Sequence, residues 1–313
     1  MDEKEKLKML LLEQMIVLFI LMGIGFFCYK KGIITDEVSR KLSAIVVNIA
    51  NPALVLTGGM GEEKISGQEL KLTIVISLIM YAALLALAMV LPRLLRVEEK
   101  SRGTYRAMTV FSNIGFMGFP VINALYGSSA LLYATFFVIP YNILIYTYGV
   151  SAIAGRSREK ERKGFSLKGI FNVGFVACIV TIMIYFANLG LPAFVESTLT
   201  HLSNLTSPLS MMVIGASLAA IDLRELFTDA KLLLFSAIKL VVIPIIGLLV
   251  IRQFVDSELL LGVCLVMLAT PVGSMTAMLA QQYEGDYEMA SKAVALTTIL
   301  SVATMPLVSG IMM

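Results

Sequence analysis

Ten apolar runs, each about as long as a bilayer is thick, constrain the fold of this chain more than any other feature. About 20 apolar residues cross the hydrocarbon core of a membrane. By that measure, spans fit near residues 9–29, 40–58, 70–91, 104–126, 129–153, 169–188, 196–220, 230–251, 257–283 and 287–312. Only 15% of the residues are charged, against roughly a quarter in a soluble domain. The sequence therefore predicts an all-α polytopic membrane protein with ten transmembrane helices.

The basic residues are distributed unevenly between the two sides that these spans define. If the N-terminal tail and every second loop share one side, that side carries six Lys and Arg residues and the other carries eighteen. Cytoplasmic loops are enriched in Lys and Arg. We therefore expect a multi-pass protein of the plasma (inner) membrane with both termini outside the cytoplasm.

The densest basic run, residues 156–168, joins spans five and six and is the connection long enough to act as a linker. It divides the chain into two five-span halves, residues 1–155 and 169–313. Because five is odd, the second half enters the membrane from the opposite side, which predicts a 5+5 inverted repeat. Residue pairs at a constant offset of 156 agree with it: Asn48 and Asn204, Pro52 and Pro208, Arg96 and Arg252, Tyr29 and Tyr185.

Spans four and nine are interrupted near their middles. Gly115, Gly118 and Pro120 interrupt span four, and Pro271 and Gly273 interrupt span nine. Proline removes an amide donor and clashes with the preceding turn, so each helix should break. Unpaired backbone groups cost several kcal/mol each in lipid, so a break is tolerated only inside protein or beside a wet cavity. Two corresponding breaks predict the substrate site of a secondary transporter.

Three dipeptides within spans two, seven and nine predict helices that restart inside the membrane: Asn51-Pro52, Ser207-Pro208 and Thr270-Pro271. Asn, Ser and Thr are favoured N-caps, and proline is favoured at the first helical position. A restarted helix offers unpaired amides and a partial positive charge, which suit an anion. For spans two and seven, prolines that merely kink the helix remain an equal alternative.

Uncharged polar side chains cluster at the two breaks. Asn113 precedes the first break, and Thr270, Ser274 and Thr276 surround the second. Such groups can hold a carboxylate or replace part of an ion's hydration shell. The alternative is hydrogen bonding between helices, which would not explain why the groups gather at the breaks.

Lys239 is the basic residue placed near the centre of a span. An intramembrane charge is costly and marks a functional site by default. The side chain would act as a counter-charge to a substrate carboxylate, or would fill a position that a cation occupies in ion-coupled relatives; the alternative is snorkelling to the surface. The acidic residues Glu13, Asp222 and Glu284 lie nearer span ends. A carrier built on paired buried carboxylates is therefore disfavoured.

Other candidate groups are less informative. Gln281, Gln282 and Glu284 close span nine on the cytoplasmic side, where they would line an exit or a weak cation site, or cap the helix at the interface. His201 is the single histidine and has no partner at metal-ligand spacing, and the three cysteines fall at unrelated positions. We expect no metal, no cofactor, no enzymatic activity and no nucleic-acid partner.

At these residues the chain resembles the auxin efflux carrier family, the bacterial permeases related to plant auxin carriers and to malonate permeases. The resemblance covers essentially the whole chain. It depends on Asn51-Pro-Ala-Leu, on Asn113-Ile-Gly-Phe-Met-Gly-Phe-Pro with Ala124-Leu-Tyr-Gly, and on Ala269-Thr-Pro-Val-Gly with Gln282-Tyr-x-Gly-Asp286.

The resemblance implies the ten-span fold of bile-acid/sodium symporters, in which the two broken helices cross at mid-membrane. It further implies a scaffold domain from spans 1, 2, 6 and 7 that often dimerises, and a mobile transport domain from spans 3–5 and 8–10 that works as an elevator. Substrate contact carries over to Asn113 and the turn around Pro120, and to the turn around Thr270 and Pro271. The long cytoplasmic loop of the plant carriers is absent.

We therefore expect a secondary transporter of a small organic anion, such as a carboxylate or an auxin-like weak acid, in the lipid bilayer as a homodimer. One alternative keeps the fold but couples transport to sodium or protons. Another is a ligand-sensing membrane receptor that binds without moving its ligand.

Overall fold

The structure is a computed structural model that describes residues 3–60, 65–154, 171–221 and 226–312. Within these ranges the chain is helical and forms no β-strand beyond one isolated bridge. The predicted basic linker, residues 156–168, lies outside the described residues.

The described helices and their π-helical turns follow the apolar runs of the sequence. In chain order they are α1 (Glu3–Lys30), α2 (Asp36–Ile45), π1 (Val46–Ala50), α3 (Asn51–Thr57), α4 (Gly67–Leu94), α5 (Glu99–Val110), π2 (Ile114–Gly118), α6 (Phe119–Leu144), π3 (Ile145–Gly149), α7 (Val150–Ala154), α8 (Val173–Ala187), α9 (Ala193–Ser203), α10 (Thr206–Ala219), α11 (Ala230–Ala237), π4 (Ile238–Val242), α12 (Ile243–Ile251), α13 (Glu258–Ala269), α14 (Ser274–Gln282) and α15 (Tyr287–Met312).

Five helical stretches among the described residues are long and apolar enough to cross a membrane: Gly67–Leu94, Ile114–Ala154, Ala193–Ala219, Ala230–Ile251 and Tyr287–Ile311. Three shorter apolar helices accompany them: Ile16–Lys30, Val173–Ala187 and Glu258–Ala269. The prediction of a helical, membrane-embedded chain is thereby confirmed. The number of ten spans stays a prediction.

Proline accounts for three of the π turns. The turns π1, π2 and π4 each end two residues before a proline, namely Pro52, Pro120 and Pro244. Proline cannot donate the i→i−4 hydrogen bond, and a one-turn π-bulge is a common way for a helix to absorb that loss. These prolines therefore widen the helices without ending them.

The helices that precede the two breaks recur at a constant interval. Helix α5 spans Glu99–Val110 and α13 spans Glu258–Ala269, so both limits are displaced by 159 residues. The chain bends at Gly127 within α6. Helix α15 begins at Tyr287, which is 159 residues after Ser128, the residue that follows this bend. The interval of 156 seen for the early residue pairs therefore lengthens by three residues before the breaks.

Gly127 occupies a backbone conformation that only glycine adopts readily, with φ of 76° and ψ of −177°. This residue separates the end of predicted span four from the start of predicted span five. Because Gly127 interrupts the helical angles, α6 consists of two helical parts, one in predicted span four and one in predicted span five.

Two sets of helices pack mainly among themselves. In one set α1 packs along α10, and α3 packs against α8 and α9; in the other, α4 packs against α5 and α6, and α13 packs against α6 and α12. Between α1 and α10 the backbones touch, because a Cβ atom added to Gly25 would lie 2.5 Å from the Cα atom of Met212. Glycine at such contacts is typical of helix pairs in membranes.

Candidate functional site

The first break lies at residues 111–113, slightly earlier than the sequence predicts. Helix α5 ends at Val110, and the chain resumes as π2 at Ile114 with Asn113 as its N-cap. Gly115, Gly118 and Pro120 therefore fall inside the restarted helix. The break comes early because the Asn113 Oδ1 atom accepts a hydrogen bond from the Phe116 amide (3.4 Å) and starts the helix there.

The second break lies at residues 270–273. Helix α13 ends at Ala269 and α14 begins at Ser274, with Pro271 between them. The interrupted span is thus confirmed, but the prediction that Thr270 caps the restarted helix is wrong. Thr270 closes α13 in an extended conformation (φ −63°, ψ 145°), and Gly273 stands at the N-cap of α14.

The two breaks pair with each other through their backbones. The Asn113 amide donates to the Pro271 carbonyl (2.8 Å), the Gly273 amide donates to the Phe111 carbonyl (2.9 Å), and Ser112 and Val272 form an antiparallel bridge. These bonds satisfy groups that would otherwise be unpaired in an apolar interior. The breaks therefore compensate each other, although they are far apart in sequence.

Helix α15 supports the paired breaks. The Val272 amide donates to the Thr297 hydroxyl (3.1 Å), and the Ser301 hydroxyl lies 3.8 Å from the Met117 sulfur. Sequence reasoning missed both residues and Ser112. The available signal was a run of polar residues, Thr297, Thr298 and Ser301, within an apolar span.

The first turn of each restarted helix is the accessible part of the site. Gly115 and Phe116 are partly exposed, as are Ser274 and Met275, whereas the residues of the two breaks are buried. The helix dipole makes the N-terminal end of each restarted helix partly positive. In π2 two of the first amides already have partners: the Ile114 amide donates to the Ser112 carbonyl, and the Phe116 amide donates to Asn113 Oδ1. Two accessible turns of this kind can bind an anionic group or another hydrogen-bond acceptor.

Two asparagines hold one peptide of the first turn. The Asn51 Nδ2 atom donates to the Gly115 carbonyl (2.9 Å), and the Asn113 Oδ1 atom accepts from the Phe116 amide. These carbonyl and amide groups belong to the same peptide unit. The other amide atoms, Asn51 Oδ1 and Asn113 Nδ2, are buried without a hydrogen-bond partner among the described residues.

The predicted helix restarts in spans two and seven differ from the structure. Asn51 has helical angles (φ −61°, ψ −47°) and follows π1 without a break, so it is no N-cap, and Pro52 belongs to a widened helix. In span seven α9 ends at Ser203 and α10 begins at Thr206, so Ser207 lies inside the helix. The alternative of a kink is correct for span two.

Lys239 contacts the end of α5 and the first break. Its side chain is 1% exposed, and its Nζ atom donates to the Thr109 carbonyl (3.0 Å) and to the Ser112 hydroxyl (2.9 Å). Thr109 is in the last turn of α5, where unpaired carbonyls and the helix dipole carry partial negative charge. Lys239 therefore donates hydrogen bonds to oxygens at the end of α5 and at the first break.

The remaining predicted residues lie either at the second break or at the far end of α14. The Thr276 hydroxyl donates to the Gly273 carbonyl (2.6 Å) at the start of α14, and the Thr270 hydroxyl lies 3.4 Å from the Met267 carbonyl. Gln281, Gln282 and Glu284 are exposed at the far end of α14 and are not brought to the breaks. In the described part of the chain, no three His, Cys, Asp or Glu side chains gather as a metal site would require.

These features define a class: a helical membrane protein whose two interrupted helices meet at a buried, mostly uncharged polar site. The chain matches the family described as "Membrane transport protein" over residues 10–309. It therefore belongs to this family of membrane transport proteins, and the resemblance to auxin efflux carriers is confirmed.

Two relatives match along nearly their whole length. An "Uncharacterized transporter" of Methanothermobacter thermautotrophicus is 24% identical over 303 residues, which cover 96% of this chain and 98% of the relative. The "Uncharacterized transporter MJ1031" of Methanocaldococcus jannaschii is 26% identical over 306 residues, with the same coverage of 96% and 98%. The family and these names point to transport and away from enzymatic activity.

Proposed function

We propose that this protein is a secondary carrier of a small organic anion across the plasma membrane. The observation that carries the proposal is the pairing of the two breaks, which places two accessible helix N-terminal turns at one buried polar site. Anions bind at helix N-termini through unpaired amides and the helix dipole. The site has no described Asp or Glu among its residues that would repel a carboxylate.

The substrate carboxylate would lie between the turn at Gly115 and Phe116 and the turn at Ser274 and Met275. The Asn113 Nδ2 atom supports this placement because it is a buried donor without an acceptor among the described residues. Leaving such a donor unsatisfied costs about 1–3 kcal/mol, which a bound carboxylate would recover.

The proposed transport mechanism is an elevator in a ten-span inverted repeat whose broken helices cross. The repeated lengths of α5 and α13 support the repeat, and the antiparallel bridge between the breaks supports the crossing. The packing of α1, α3, α8, α9 and α10 among themselves supports a scaffold separate from a transport domain. The homodimer and the outward position of both termini remain proposals from the sequence.

Lys239 favours an uncoupled carrier over the sodium- or proton-coupled alternative. Its Nζ atom is buried against the carbonyl end of α5, where it supplies the positive charge that a bound cation would supply. A lysine cation fixed at this position would take the place of a bound sodium ion, so transport would not require sodium. The role of substrate counter-charge is less favoured because the Nζ atom donates to two protein oxygens, the Thr109 carbonyl at the end of α5 and the Ser112 hydroxyl at the first break.

The proposal is tested by thermal-shift screening of the detergent-purified protein against carboxylates and indole acids, with and without sodium, followed by flux measurements in proteoliposomes. A substrate should raise the melting temperature of the wild type but not of Asn113→Ala, because ligand binding stabilises only a state that binds it. Asn142→Ala, at an asparagine of α6 that is also buried, is the control. Binding without flux would indicate a receptor, and a stabiliser that acts equally on Asn113→Ala would contradict the proposed site.

A further inference from the structure

Three arginines lie in the hairpin that α4 and α5 form, and two of them are held by protein oxygens. Arg93, at the end of α4, donates to the Met89 carbonyl. Arg102, in the first turns of α5, pairs with the Glu99 carboxylate. Arg106, one turn further along α5, has no ion-pair partner among the described residues. Its charge is therefore left for an acceptor outside the described chain.

The burial of Arg106 makes this acceptor necessary. The side chain is partly buried, and its Nε atom is buried without a hydrogen-bond partner in the part of the chain that the structure describes. A guanidinium carries several N–H donors and stays charged at every physiological pH. Native proteins rarely leave a buried polar atom without a partner, and an unpaired charge is costly within a membrane span. An anionic group is the partner that Arg106 requires.

The position of Arg106 along α5 places it near the level of lipid headgroups. It lies seven residues after Glu99, where α5 begins, which is about 10 Å along the helix. The loop before α5 belongs to the side with most of the basic residues, which the charge distribution predicts to be cytoplasmic. Helical side chains point back toward the N-terminus of their helix, so a long side chain at this position reaches toward that surface.

The neighbours of Arg106 suit a lipid better than a free ion. Arg106 interacts electrostatically with the Tyr148 hydroxyl of π3, which lies 3.9 Å from the Met89 sulfur of α4. Met89 is 46% exposed, and Val90 and Leu94 beside it on α4 are 58% and 72% exposed. Exposed apolar side chains of a membrane helix lie against acyl chains, which are as apolar as they are. A phospholipid brings acyl chains and a phosphate to the same place.

We propose that Arg106 and the Tyr148 hydroxyl bind the phosphate group of a phospholipid in the cytoplasmic leaflet. Arginine suits phosphate because its planar N–H donors match two phosphate oxygens at once. The Tyr148 hydroxyl adds a donor whose acceptor within the protein, the Met89 sulfur, is a weak one. These residues are not among those of the paired breaks. The proposal is therefore independent of the carrier function and of the substrate.

The test is a lipid titration of the delipidated full-length protein in detergent, with dissociation constants measured by native mass spectrometry. The probes are dioleoylphosphatidate, dioleoylglycerol, which has the same acyl chains without the phosphate, and inorganic phosphate. Phosphatidate should bind at least about tenfold more tightly than the other two, because it alone offers both phosphate and acyl chains. Equal binding of dioleoylglycerol would overturn the role of the phosphate, and equal binding of inorganic phosphate would overturn the assignment to a lipid.

Variants locate the phosphate on the protein. Arg106→Gln should weaken phosphatidate binding about tenfold or more and leave dioleoylglycerol binding unchanged. Tyr148→Phe should weaken phosphatidate binding about threefold. The matched control is Arg102→Gln, at the arginine already paired with Glu99, which should change the affinity by less than about twofold. An affinity that survives in Arg106→Gln, or falls equally in Arg102→Gln, would overturn the site.

Size-exclusion chromatography checks that each variant is folded. If Arg106→Gln does not fold, Arg106→Lys replaces it; lysine keeps the charge but loses the planar set of donors, so phosphatidate should still bind about threefold more weakly. A competing outcome is that Arg106 serves the path of the transported anion. A carboxylate that stabilises the wild type but not Arg106→Gln, together with unchanged phosphatidate affinity, would show this and refute the lipid site.

Discussion

The contact between α1 and α10 yields a prediction whose magnitude follows from two glycines of one helix. An alanine Cβ at Gly25 would lie 2.5 Å from the Met212 Cα atom and closer still to the Met212 carbonyl oxygen, whereas a Cβ at Gly23 would meet nothing within 4 Å. Carbon atoms pack best at about 3.5–4.0 Å. Gly25→Ala must therefore push the helices apart by about 1 Å, and Gly23→Ala need move nothing.

The two substitutions should change the free energy of unfolding in different directions. Replacing a helical glycine by alanine stabilises a helix by about 1 kcal/mol, so Gly23→Ala should be neutral or slightly stabilising. Gly25→Ala gains the same amount but pays an overpacking cost of about 1–3 kcal/mol or more. We expect the free energies of unfolding of the two variants, measured by SDS titration in mixed micelles, to differ by about 1–3 kcal/mol or more.

A double variant tests whether one contact is responsible. A Cβ at Gly215 would lie 2.8 Å from the Met22 carbonyl carbon, so Gly25 and Gly215 keep the same pair of backbones together. Once the first alanine has separated the helices, the second should cost less, and the double variant should be less destabilised than the sum of the single variants. If Gly25→Ala is as stable as Gly23→Ala, the close backbone contact between α1 and α10 is wrong.

Two further predictions concern the site and the bend beside it. Replacement of Lys239 by Ser removes the buried cation from the end of α5. Sodium should therefore raise the melting temperature of this variant but not that of the wild type. If sodium changes neither melting temperature, the cation role of Lys239 is contradicted. Gly127→Ala should lower the free energy of unfolding by about 1–3 kcal/mol through backbone strain alone, because an added Cβ meets no atom within 4 Å. A neutral Gly127→Ala in chemical unfolding would show that this bend is not strained.

The apolar runs and the prolines predicted most of the architecture because both act locally. A run of about 20 apolar residues is helical wherever it lies in a membrane, and a proline disturbs its own helix regardless of its neighbours. The sequence therefore located the interruptions in the correct spans. It misplaced the first break because the N-cap bond of Asn113 starts the helix before the glycines and the proline.

The contacts across the breaks could not be predicted in the same way. Thr109 and Lys239 are 130 residues apart, and Asn51 and Gly115 are 64 apart, so no local pattern records either hydrogen bond. Asn51 followed by proline predicts an N-cap from local preference. Tertiary structure overrides that preference, because the π1 turn continues into α3 and leaves the Asn51 side chain to hold the Gly115 carbonyl.

The most direct test of the central claim is protection of Ser274→Cys from a thiol reagent by the carboxylate that raises the melting temperature. Ser274 is partly exposed in the first turn of α14, and Met278, 60% exposed on the same helix, provides the control Met278→Cys. A Cys28→Ser background removes the half-buried native thiol and leaves only the buried Cys178 and Cys264. A substrate bound between the two breaks should slow labelling at position 274 and leave position 278 unchanged. Equal labelling rates at position 274 with and without the carboxylate would contradict a substrate site at the paired breaks.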